Sequence, residues 1–176
     1  MRTGSIQEWG ALCLVLLAVV AGGCQSGARA PAHAAGERAG RPIQSVSLRA
    51  PDAALDAVRQ LCGRGVGAIV ALGDPATDAV FAALLAGARS CGVPVLGTRR
   101  AHALGGALLT QARDVRGAGR AAGRRAAQAL RGEDIGGLGF SEHAGDVLIV
   151  NADAAERDGV GLPLALIERA DEVIGD

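Results

Sequence analysis

Asp74, Thr98 and Arg99 are the side chains best placed to meet a ligand, because each comes just after an apolar run that ends in glycine. Asp74 stands in Gly73-Asp74-Pro75, after Val66–Leu72. An ionised carboxylate there could face the amine or hydroxyl of a solute, or do no more than cap the helix that Pro75 opens. Thr98-Arg99-Arg100 follows Val93–Gly97. Its arginines could hold a carboxylate bidentately, or be a solvated loop. Other chemistry is sparse. His33, His102 and His143 share no metal-ligand spacing, and no GxSxG, Walker or GxGxxG pattern occurs. The chain has no lysine. These residues predict a protein that is not an enzyme and uses no metal or cofactor.

The cysteines point to a compartment. Arg2, the apolar run Ala11–Ala21 and the small residues Gly22-Gly23 before Cys24 have the layout of a secretion signal. The run is short for a transmembrane helix. Ala21-Gly22-Gly23-Cys24 resembles a bacterial lipoprotein box. That resemblance implies cleavage before Cys24 and lipid on its thiol and new amine. The protein would then be anchored to a membrane of the bacterial cell envelope, facing the periplasm or the cell exterior. The alternative is an ordinary signal peptide with an incidental cysteine. Cys13 falls inside the signal, which leaves Cys62 and Cys91 as either a disulfide or two buried thiols.

Three segments are expected: a signal at residues 1–23, a flexible Gly/Ala/Pro-rich tether at 24–42, and one folding unit at 43–176. The chain carries 18 basic and 18 acidic residues, so no basic excess attracts nucleic acid. With 27 glycines and no tyrosine, the core must be built from Leu, Val, Ile and many Ala.

Within that unit, strands are expected near 45–48, 66–72, 93–96, 107–109 and 147–150. Helices are expected near 51–62, 75–90, 114–131, 151–157 and 163–174. The arginines of 113–131 read as a solvated helix face. This rhythm of strand and helix predicts an α/β fold, a parallel sheet flanked by helices. Ligands of such sheets bind beyond the carboxyl ends of the strands, where Gly73-Asp74 and Gly97-Thr98-Arg99 fall.

The C-terminal half resembles a known family. Leu148–Ile174 carries a strand, Asn151, a short helix, the turn Gly159-Val160-Gly161-Leu162-Pro163 and the ending Ala170-Asp171-Glu172-Val173-Ile174. Gly105–Leu109 with Asp114 and Gly119-Arg120, Leu130-Arg131-Gly132-Glu133, and Gly92-Val93-Pro94-Val95 add weaker pieces. Together they resemble the second half of the tryptophan-type substrate-binding proteins of bacterial ABC transporters, which have the periplasmic binding protein type I fold. The resemblance implies one lobe of that fold, a small organic solute such as an amino acid, and an ABC permease as partner. Family members clamp solute between two lobes, and no first-lobe sequence precedes residue 43. A homodimer, or a separately encoded first lobe, is therefore also expected. A non-transport structural or interaction lipoprotein that keeps the lobe is the second reading. Departures from the family lie at Val115, where an aromatic is common, and at Asp74-Pro75-Ala76, where many members read Asp-Asn-Thr.

Overall fold

The structure, a computed structural model, describes residues 16–21, 33–48, 53–134, 136–137 and 145–175. Cys24 lies outside these residues, as do Cys13 and His143. Seven strands form one sheet in the order β2-β1-β3-β4-β5-β6-β7. They are β1 Leu16–Ala21, β2 Gln44–Leu48, β3 Ala68–Ala71, β4 Val95–Gly97, β5 Leu109–Arg113, β6 Asp146–Asn151 and β7 Glu172–Ile174. All neighbours run parallel except β5 and β6.

The helices between them are α1 at 33–38, α2 Ala54–Gly63, α3 Pro75–Ser90, α4 Arg100–Leu104, α5 Val115–Leu130, α6 Ala152–Asp158 and α7 Leu164–Ile167. Right-handed crossovers fix their sides. From β2 through β5 the chain moves one way across the sheet, so α2, α3 and α4 share a face. The step from β1 to β2 runs the other way and sends α1 to the opposite face. Strand order reverses at β1, which places the topological switch point between β1 and β3.

The expected α/β fold, one sheet flanked by helices, is what the chain adopts. Helix α2 buries Ala54, Ala57, Val58 and Leu61, while Leu55 turns outward. Helix α3 buries Val80, Phe81, Leu84, Leu85 and Ala88 at helical spacing. The two helices close over Ile69, Ala71 and Val95 to make the main core. Gly87 allows their close approach, since a Cβ there would stand 3.2 Å from Val58 Cγ1. Cys62 and Cys91, at the ends of α2 and α3, form a disulfide with Cα atoms 6.2 Å apart. Of the two readings left open by the sequence, the bonded one holds.

Three expectations need correction. The sheet is not wholly parallel: β6 enters at the end where β5 leaves, with Arg113 opposite Asp146. The expected strand at 107–109 lies further on, at Leu109–Arg113. The expected helix over 163–174 survives only as α7, and the chain then becomes β7. The free edge of β6 explains the switch. The Asp171 amide donates to Leu148 O, and its carboxylate accepts from Leu148 N at 2.8 Å. Tertiary hydrogen bonding there outweighs helical periodicity.

Two segments of the N-terminal part take regular structure. Leu16–Ala21, inside the segment read as a signal, is an interior strand, and residues 33–38, inside the segment read as a tether, are helical. Helix α5 stands nearly alone, with Gly117 its one buried residue. Its arginines Arg116, Arg120 and Arg124 are exposed, as a solvated face requires.

Candidate functional site

The register Ala71–Gly97 and Gly97–Thr110 lines up the carboxyl ends of β3 and β4 beside the start of β5, which runs on to Arg113. Gly73-Asp74 and Thr98-Arg99 therefore share the edge where open α/β sheets bind ligands, and Asp114 lies further out on the same side. The structure brings the three expected site residues together, and each is also engaged with the protein.

Asp74 is 5% exposed. Its Oδ1 accepts from the Ala76 and Thr77 amides at 2.9 and 3.0 Å, and its Oδ2 accepts from the Thr77 hydroxyl at 2.8 Å. Three donors from the first turn of α3 thus converge on one carboxylate, the arrangement of an N-cap with Pro75 at the first helical position. Thr98 joins two strand ends: its Oγ1 accepts from the Gly73 amide at 2.7 Å and donates to Ala71 O at 3.2 Å. Arg99 is half exposed and its guanidinium pairs with Asp78. Its methylenes cross directly over Gly73, where a Cβ would lie 2.3 Å from Arg99 Cγ.

Two further residues complete this edge, and sequence reasoning missed both as site residues. His102 on α4 is 1% exposed. Its Nδ1 accepts from the Thr98 amide at 3.3 Å, so the proton sits on Nε2, which faces Asp78 Oδ1 at 2.9 Å. Its ring stacks on Phe81, with centroids 4.4 Å apart. Gly97 makes room: a Cβ there would approach His102 Cβ to 2.5 Å and Thr110 Oγ1 to 2.7 Å. The Thr110 hydroxyl is buried and lacks a partner among the described residues. Asp78 therefore joins Arg99 to His102, and His102 joins Asp78 to the backbone of Thr98. The signal that could have found them is spacing, since Asp78 follows Asp74 by four residues and His102 follows Arg99 by three.

The amides of Gly73, Ala76, Thr77 and Thr98 at this edge donate to side chains of the protein, and the half-exposed Arg99 and partly exposed Asp78 are paired with each other. A hollow of about 280 Å³ lies elsewhere, at the amino end of β4, lined by Arg89, Gly92, Val93, Pro94, Arg157, Asp158 and Val160. Asp158 there is shared by Arg89 and Arg157, at 3.6 and 3.4 Å. Among the described residues, no group of His, Cys, Asp and Glu is arranged to hold a metal ion. No described helix is long and apolar enough to cross a membrane.

Comparison with known proteins agrees with this fold, which matches one lobe of periplasmic binding protein type I architecture. A family profile described as ABC transporter substrate binding protein matches residues 43–174. A conserved domain protein from Vibrio cholerae superposes with a TM-score of 0.75 at 20% identity, over 91% of this chain and 54% of that one. An ABC domain in complex with L-Trp from Streptococcus pneumonia gives a TM-score of 0.73 at 18% identity, over 91% and 55%. A ligand-free, open substrate binding protein with adhesive properties from Clostridium difficile gives 0.76 at 16% identity, over 98% and 61%. The chain thus spans little more than half the length of the first two of these structures. No curated protein matches it significantly.

Proposed function

Because the chain belongs to the ABC transporter substrate binding protein family, we propose that it is a lipid-anchored, non-catalytic solute-binding component for a small organic solute such as an amino acid. The family match across 43–174 carries this reading. Lipid on Cys24 would hold the protein to a membrane of the cell envelope. Solute would be recognised at the β3–β4–β5 edge, with Asp74 toward an amine or hydroxyl and Thr98 or Arg99 toward a carboxylate. Delivery to an ABC permease would follow a shift between open and closed forms. The L-Trp held by the similar streptococcal domain supports an amino-acid-like solute. A second subunit, either another copy or a separately encoded first lobe, would cover the edge.

Isothermal titration of the purified protein against amino acids and related solutes tests the proposal. Saturable heat with one solute class is expected, and no heat with any of them overturns it. A second reading, an interaction lipoprotein that keeps the lobe without transport, draws on one observation. Asp74, Thr98 and Arg99 spend their polar groups on each other's loops and helices rather than on open space.

A further inference from the structure

Leu16–Ala21 is at once the strand β1 and part of the apolar run that reads as a signal, and Cys24 lies three residues beyond it. β1 holds an interior position. It pairs with β2 over five positions, Leu17–Gln44 to Ala21–Leu48, and with β3 over four, Leu16–Ala68 to Val19–Ala71. β2 is the terminal strand and has β1 as its neighbour in the sheet. Cleavage before Cys24 would therefore remove the strand that joins β2 to the rest.

Resting on the signal reading above, we propose that the processed lobe presents an open strand position between β2 and β3, which takes a parallel, uncharged apolar strand from a separate polypeptide. Two rows of backbone N–H and C=O groups face this position, and an unpaired row beside the buried residues Ile69 and Ala71 is costly. Closing the gap internally would need β2 to travel one strand spacing, about 4.8 Å. Helix α2 is the next described element after β2, and it is pinned to α3 by the Cys62–Cys91 disulfide and by the close approach of Gly87 to Val58. It cannot follow such a shift freely. The occupant's chemistry is read from β1 itself: the LLAVVA sequence has no charge, no proline and several branched or small residues. Strand addition supplies affinity through main-chain hydrogen bonds, so a proline in the occupant should abolish it.

The test places a specific protease site within residues 25–32 of the full chain, cuts the folded protein and removes the released segment. A dye-labelled peptide with the sequence of residues 14–22 and a solubilising tail is then added. Saturable binding and renewed hydrogen-exchange protection at Val70 are expected. The Ile69 amide donates to Pro94 O on the β4 side, so alternation along β3 turns the Val70 amide toward β1. A Val19→Pro peptide should bind about tenfold weaker or worse. Protection of the Val70 amide without peptide, or equal binding of the Val19→Pro peptide, overturns the proposal. The intact mass of protein extracted from the cell envelope tests the signal reading separately. Residues 1–23 still attached would refute that reading while leaving the peptide result to judge the strand position.

Discussion

Asp78 Oδ1 and His102 Nε2 lie 2.9 Å apart, and this contact joins helices α3 and α4 at the ligand edge of the sheet. The ring is held on three sides, by Asp78, by the Thr98 amide and by the face of Phe81. Leaving a buried partner unpaired costs about 1–3 kcal/mol. His102→Ala is expected to lower unfolding free energy by about that much or more, because a cavity adds to the lost bonds. Urea titration followed by circular dichroism checks this, and an unchanged midpoint would show that the contact contributes nothing.

Asp74 invites a pair of substitutions that separate its two possible tasks. Asp74→Ala should cost about 1 kcal/mol through loss of the cap, whereas Asp74→Asn should cost little, since Asn caps about as well. If Asp74 also meets a solute amine, Asp74→Asn should still weaken binding of that solute in a calorimeter. Equal affinity in Asp74→Asn would make Asp74 a cap and nothing more.

The Cys62–Cys91 disulfide closes a loop with a sequence separation of 29 residues. Chain-entropy arguments put its contribution at about 3 kcal/mol or somewhat above. Thermal unfolding of Cys91→Ser, set beside the parent with and without reductant, should show that loss in the variant and in the reduced parent alike. A parent insensitive to reductant would contradict it.

Arg100 and Glu172 form a two-pronged ion pair between α4 and β7. The hydrogen bond to Arg100 holds the Glu172 carboxyl below its ordinary value of 4.5. A carboxyl depressed in the folded state stabilises above its unfolded value and loses that contribution as pH falls through the folded one. The pair is largely exposed, so solvent screening keeps the effect small. The protection factor of the Val173 amide, which removes the intrinsic slowing of exchange in acid, is expected to fall slightly below about pH 4.5 in the parent. In Glu172→Gln it should be lowered by the same small amount already at neutral pH.

Gly119 and Gly123 sit mid-helix in α5, and a Cβ at either would meet open space. Each should therefore gain up to about 1 kcal/mol of helix stability on substitution by alanine. Gly119→Ala and Gly123→Ala are expected to raise the thermal midpoint of the protein alone. If instead they lower self-association in sedimentation, the glycines mark a face that packs on another subunit.

What the sequence made legible was local. The Asp74 cap and Pro75 at the start of α3 could be read directly, as could the continuous apolar run of β3, because their signals lie within a few residues. The Asp78–His102 contact could not, since it joins positions 24 residues apart and depends on α3 and α4 lying side by side. β1 failed for another reason. An uncharged apolar run serves equally as the centre of a signal and as a strand buried in a parallel sheet, and nothing in its own residues separates the two. β7 was hidden because Leu164, Ile167, Ala170 and Ile174 keep helical spacing through a segment that β6 recruits as a strand.

β7 also decides how two copies of this protein can meet. It is three residues long, and it begins at Glu172, whose charge is already committed to Arg100. Joining two sheets edge to edge there would gain only a few main-chain hydrogen bonds, and so short a rim is one of the ways β proteins avoid polymerising. At high concentration the far rim of the sheet should therefore stay unextended, and fibrous growth from it is disfavoured by its own brevity.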